Sequence, residues 1–171
     1  MDLLLVRHAD ATESRGGSPH HSDDDRPLSA KGEEQIRTAA IAIRELLPSC
    51  GVIVSSPLKR AMQTAEIIAK AYGLTLQTSR ALTPGSPLVE FEAWVKQFGD
   101  TEAIAVVGHE PHLSSLATWL MTKFEGSRID LKKGGICLIQ FTGPVHAGSG
   151  TLRWLVAPKQ LDLIASAVTN G

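Results

Sequence analysis

LLLVRHADAT, residues 3–12, begins as a strand buried on both faces and ends in groups that such a strand excludes. Leu3 to Val6 are four apolar residues in a row, and Arg7 and His8 follow them directly. Burying an unpaired charge is expensive. The cation and the titratable ring therefore have to sit where the first buried strand, residues 2–7, leaves its sheet.

The same arrangement recurs along the chain. GVIVSS (51–56) is a second apolar strand, and AIAVVGH (103–109) a third that again ends in a histidine. Helical patterns separate them. One starts at Ser29, a suitable N-cap, and carries Ile36, Ala39, Ala40, Ile43 and Leu47 at helical spacing before Pro48. A second follows Ser56 as N-cap, with Pro57 at its first position and Gly73 as its stop. A short strand near 74–77 leads through RALTPGSP to a helix bearing Phe91, Trp94, Val95 and Phe98. Pro111 opens another helix to about Phe124, and β-rich runs near 135–141 and 151–157 pair across a glycine-containing turn. The stretch 10–27 is polar and reads as a long exposed loop.

Alternation of this kind predicts an α/β three-layer sandwich, with a mostly parallel central sheet, helices on both faces and an antiparallel edge near the C-terminus. With 171 residues, 43% hydrophobic and 20% charged, the chain is expected to form a single domain over residues 1–171 with a real core. A net charge of −1 provides no general attraction to nucleic acid or anionic membrane, so an anion site would have to be a local cluster of positive charge. Cys50 and Cys137 lie in apolar stretches, which suits reduced thiols and a cytoplasmic setting; no signal peptide or membrane-spanning run is recognisable.

In parallel α/β sheets ligands bind beyond the carboxyl ends of the strands. Arg7 and His8 end one strand, Gly108 and His109 another, and Arg60 falls in the first turn of the helix after Ser55 and Ser56. Two arginines and two histidines thus converge on one rim, where helix N-termini add N–H donors for an anion. The cluster suits a phosphate.

LVRHAD, SSPLKRAMQTAE and VVGHEP, in that order, together with RPLSAKGEEQ, resemble the signature segments of the histidine phosphatase superfamily, the phosphoglycerate-mutase-like fold. The likeness runs from about residue 2 to 157, and the shortness of the chain makes it most similar to the compact SixA-type phosphohistidine phosphatases. The resemblance implies a metal-independent phosphatase without cofactors. His8 would be the nucleophile that becomes a phosphohistidine, with its other ring nitrogen donating to an acceptor such as a backbone carbonyl. Arg7 and Arg60 would fork onto the phosphoryl oxygens, and His109 would be a third cationic donor. Arg26, in RPL, is either a substrate contact or half of a salt bridge at the start of a helix. Many mutases and broad phosphatases of the superfamily carry an acidic general acid in the middle segment, but SRALTPGSP (79–87) has no carboxylate, and Glu90 and Glu92 fall on the helix after it.

Three functions follow. The first is dephosphorylation of phosphohistidine in a protein, such as a histidine phosphotransfer domain. The second is hydrolysis of a small phosphorylated metabolite as a phosphomonoesterase, and the third a catalytically silent phosphoprotein-binding module. HHSDDD (20–25) reads as a solvated loop rather than a metal site, HEPH (109–112) lacks the spacing of a zinc helix, and Glu110 reads as a helix N-terminal carboxylate. Trp94, Trp119 and Trp154 are expected in the core or at its margin.

Overall fold

A computed structural model describes residues 1–13 and 23–171. Strand β1 (Asp2–Arg7) lies inside the sheet with Leu3 and Leu5 on one face and Leu4 and Val6 on the other, all fully buried. Burial on both faces is what a continuous apolar run requires. Strands β2 (Val52–Ser55), β3 (Leu76–Thr78) and β4 (Ala103–Gly108) join β1 in parallel, and β5 (Ile136–Gln140) and β6 (Thr151–Val156) continue the sheet antiparallel. The six strands run in the order β3-β2-β4-β1-β5-β6.

Helices α1 (Ala30–Leu46), α2 (Lys59–Tyr72) and α5 (Pro158–Asn170) cover one face. Ile36, Ile43, Ala61, Ile68 and Leu161 pack there against Leu4, Val6 and Val107. Helices α3 (Leu88–Val95) and α4 (His112–Thr122) cover the other, where Phe91, Val95, Leu113 and Leu116 meet Leu3, Leu5 and Val106. The expected three layers and the antiparallel C-terminal strands are both present. Cys50 and Cys137 are buried free thiols, and no helix among the described residues is long and apolar enough to cross a membrane.

Helix α1 begins as the sequence indicates, with the Gly32 N–H donating to Ser29 Oγ at 3.0 Å. Helix α2 does not. Its N-cap is Leu58, so Ser56 and Pro57 remain in the turn between strand and helix. The Ser56 hydroxyl is occupied at 2.9 Å by His109 Nε2, a partner that spacing along the chain does not reveal. Phe124 lies beyond α4 and is exposed. Helix α5 was not anticipated, although Pro158 at its start and Leu161, Ile164 and Ala165 on its inner face carry the helical period.

Gly32 decides how closely α1 approaches the end of β1. A Cβ at this position would stand 1.9 Å from the Asp10 carbonyl oxygen, which itself accepts from the Ser29 N–H at 3.0 Å. Only glycine lets the helix terminus and the strand exit share that space. Gly32→Ala is expected to destabilise the fold by roughly 2–4 kcal/mol, at the severe end for a point substitution. Urea denaturation measures the change; a variant within about 0.5 kcal/mol of the parent would show that the close approach is dispensable.

Candidate active site

Strand register assembles the rim. Arg7 pairs with Gly108 across β1 and β4, and Ser55 pairs with Val107 across β2 and β4. His8, His109 and Ser56 are therefore the first residues past three adjoining strand ends. The backbone stays tied beyond the strands: His8 N–H donates to the Gly108 carbonyl at 3.0 Å, and Ser56 N–H to the Val107 carbonyl at 2.9 Å. Gly134, at φ 74°, turns its N–H toward the carbonyls of Arg7 and His8, 3.1 Å from each.

His8 is buried, and its two nitrogens have different partners. Nδ1 lies 2.7 Å from the Ala9 carbonyl oxygen. A carbonyl only accepts, so the proton sits on Nδ1. Nε2 then faces the Arg60 Nε–H at 3.3 Å with its lone pair. Burial, reinforced by the charges of Arg60 and Arg7, lowers the His8 pKa from 6.5 to about 4. The ring is neutral at pH 7.

His109 packs beside it with ring centroids 5.0 Å apart. Burial and the neighbouring His8 and Arg60 push the His109 pKa to about 3. Its ring is therefore neutral at pH 7, because desolvation and two nearby basic groups disfavour its charge. Its Nδ1 is buried without a hydrogen-bond partner among the described residues.

Arg60, in the first turn of α2, is buried and faces an anion of the protein itself. Nη1 donates to the Asp23 carbonyl oxygen at 2.7 Å and Nη2 to Asp23 Oδ2 at 3.0 Å. Arg26 takes the other carboxylate oxygen of Asp23 at 2.7 Å and the Thr12 carbonyl at 2.8 Å, so of its two readings the ion pair is the one formed here. Arg7 donates through Nη1 to the Leu131 carbonyl at 2.8 Å, while its buried Nε has no partner among the described residues. Arg7, His8, Arg60 and His109 are thus brought to one rim. Arg26 joins only through Asp23.

Three supporting residues escaped the sequence reading. Thr64 accepts from the Ala9 N–H at 3.1 Å and donates to the Arg60 carbonyl at 2.8 Å, tying the segment of His8 to α2. Its position four residues after Arg60, on the same helical face, was the available signal. Ser56, read from the sequence as a helix cap, and Asp23 gave none for their roles here, since His109 and Arg60 are far from them in sequence.

Asp23 reaches the site through Arg60, whereas Glu110 and Glu92 are engaged by other partners. Glu110 accepts from the Ser114 N–H and hydroxyl at 3.2 and 2.6 Å, the helix-terminal role expected of it. Glu92 accepts from the Ala147 N–H at 3.1 Å and pairs with Lys96. Among the described residues no three His, Cys, Asp or Glu side chains are grouped to hold a metal ion. Part of HHSDDD lies outside the described residues; Asp23–Asp25 form a 3-10 turn.

The family model of the Histidine phosphatase superfamily (branch 1) matches residues 3–83. An uncharacterized protein of Picosynechococcus sp. is 34% identical over 139 residues, which cover 80% of this chain and 82% of that protein. The solved structure of the protein histidine phosphatase SixA complexed with tungstate is similar at a TM-score of 0.81 and 22% identity, covering 94% of this chain and 99% of that one. The alpha-ribazole phosphatase from Shigella flexneri is similar at a TM-score of 0.71 and 17% identity, covering 92% and 97%. These structural likenesses concern the fold.

The buried imidazoles make stability depend on pH. Above pH 6.5, the ordinary histidine value, His8 and His109 are neutral in folded and unfolded chains alike. Below it the unfolded chain takes up protons that the folded one refuses, so stability present above 6.5 is lost as pH falls toward about 4. Burial of His112 acts in the same sense. At these values the His8 and His109 rings would each cost about 3 kcal/mol by pH 4. Urea denaturation across this window measures it, and His109→Gln should flatten the slope. A stability independent of pH there would mean that the folded rings are protonated.

Proposed function

The chain belongs to the histidine phosphatase superfamily and is a phosphatase-type hydrolase, and from that premise we propose that it is a single-domain, metal-independent phosphohistidine phosphatase. The supporting observation is the tautomer of His8. A ring whose proton is held on Nδ1 by the Ala9 carbonyl keeps its lone pair on Nε2, where the Arg60 Nε–H approaches at 3.3 Å, and such a ring can serve as a nucleophile at neutral pH. Binding alone would need no such nucleophile, which disfavours the silent module.

In this reading Nε2 attacks phosphorus while the bond to the leaving group breaks, forming phosphohistidine on His8. Water then attacks that phosphorus, the P–N bond breaks, and phosphate leaves with His8 restored. Arg7 and Arg60 hold the phosphoryl oxygens, a task suited to planar, permanently charged forks. His109 donates beside them, and an arriving dianion favours its protonation, opposing the burial that keeps the ring neutral. Charge stabilisation of this kind is the main catalytic need in phosphoryl transfer, and the two guanidiniums supply it without a metal.

The leaving group decides the substrate class. No carboxylate is available from 79–87, Glu92 is turned to Ala147 and Glu110 to Ser114, and Asp23, the acidic group at the site, is held as an anion by Arg26 and Arg60. Departure largely unaided suits an imidazole on a phosphorylated protein better than an alkoxide. The runner-up, a small-molecule phosphomonoesterase, draws support from the shared fold of an alpha-ribazole phosphatase.

Two experiments test this. His8→Ala should abolish turnover and covalent labelling by phosphate with the fold intact, and Arg60→Ala should slow turnover by about a hundredfold or more; substantial activity in His8→Ala would end the mechanism. In a leaving-group series at fixed pH, phosphohistidine peptide and aryl phosphates should outpace alkyl phosphates by about a hundred- to ten-thousandfold, the usual contribution of a general acid. A flat series would reveal an acid and hand the assignment to the phosphomonoesterase.

A further inference from the structure

Asp23 has no part in the chemistry above, yet its contacts lie where the substrate phosphoryl group has to go. Each of the three nitrogens of Arg60 already donates: Nε to His8 Nε2 at 3.3 Å, Nη1 to the Asp23 carbonyl at 2.7 Å and Nη2 to Asp23 Oδ2 at 3.0 Å. A phosphoryl group transferred to His8 Nε2 would need the Nη2 face that the carboxylate now holds. Arg60 is only 8% exposed, whereas the Asp23 side chain is 56% exposed, so the anion sits at the solvent end of a buried cation. Its other oxygen stays 2.7 Å from Arg26, which is itself anchored on the Thr12 carbonyl at 2.8 Å. The carboxylate can therefore leave Arg60 by a side-chain rotation and remain paired.

We propose that Asp23 is an internal competitor for the phosphate site: its carboxylate occupies Arg60 and is exchanged onto Arg26 when a phosphoryl group binds. The inference rests on the phosphatase reading of this site. Its consequence is quantitative. A ligand that binds only the fraction of molecules with Arg60 released has its apparent affinity reduced by that fraction. The internal anion also neutralises a buried guanidinium that would otherwise stand uncompensated between turnovers. It would lower retention of the product phosphate as well as binding of substrate.

The test is isothermal titration of the intact protein with inorganic phosphate, for the parent and for Asp23→Asn. Asparagine keeps the backbone contact to Arg60 Nη1 and the side-chain size but removes the competing charge. The expected result is phosphate binding roughly three- to tenfold tighter in Asp23→Asn, as an ion pair half open to solvent allows, with a matching increase in product inhibition during turnover. Unchanged affinity would overturn the competition and leave the phosphatase reading standing. Weaker binding would also overturn it, making Asp23 a positioning residue for Arg60. Absence of phosphate binding in both proteins would instead refute the phosphatase reading and the exchange with it.

Discussion

The pairing of Arg7 with Gly108 in the adjoining parallel strands β1 and β4 is the constraint on which the rest of the rim depends. It makes His8 and His109 neighbours past the edge of the sheet and brings their rings to 5.0 Å. A slip of one residue would turn every side chain of β1 to the opposite face. Leu3 and Leu5 would then exchange faces with Leu4 and Val6, against two cores already packed on both sides. Hydrophobic packing thus sets the register, and the register sets the chemistry. Gly134 and Thr64 hold the same exit from outside the sheet, so the segment of His8 is tied from three directions.

A site built this way places two neutral imidazoles among two guanidiniums, and the neutrality has physical causes. Burial disfavours charge on either ring, and each nearby cation adds to that effect. A protonated His8 would have no lone pair to offer phosphorus, so the forces that depress its pKa also keep it reactive. The arginines carry the opposite problem, since a buried cation must find counter-charge or hydrogen bonds in the absence of substrate. Carbonyls of Leu131 and Asp23 and the Asp23 carboxylate meet that need. Arg60 is thus paired within the protein, whereas Arg7 Nε and His109 Nδ1 have no hydrogen-bond partner among the described residues.

What could be read from the sequence follows the range of the signals. The apolar runs of β1, β2 and β4 and the capped start of α1 are local patterns, and they placed Arg7, His8, Arg60 and His109 at one edge. Ser56 misled because a hydroxyl before a proline looks like a helix cap, while its actual partner is 53 residues away. Helix α5 was overlooked although its period is plain; it closes the α1 face after the last strand, where the alternating pattern was taken to end. Asp23 could not have been found. A carboxylate in a polar loop acquires meaning only when the fold sets a particular arginine against it.

The division between strand ends and loops also bears on substrate choice. In the proposed mechanism, groups placed by register, such as His8 and His109, would act on the phosphoryl group, which every substrate of such a site shares. They cannot distinguish one leaving group from another. Discrimination has to come from the segments that continue outward from the strands. One is the stretch that carries Asp23 and Arg26, anchored by the Thr12 and Asp23 contacts. The other runs from Ser79 to Pro87, held against α4 by the bond between His112 Nε2 and the Ala81 carbonyl at 3.2 Å. The first presents an anion and the second no carboxylate at all. A leaving group that can depart unprotonated, or that carries its own N–H toward Asp23, meets less resistance there than an alkoxide. The preference for phosphoramidates proposed above would then arise from loop chemistry, with the strand-end machinery left unchanged.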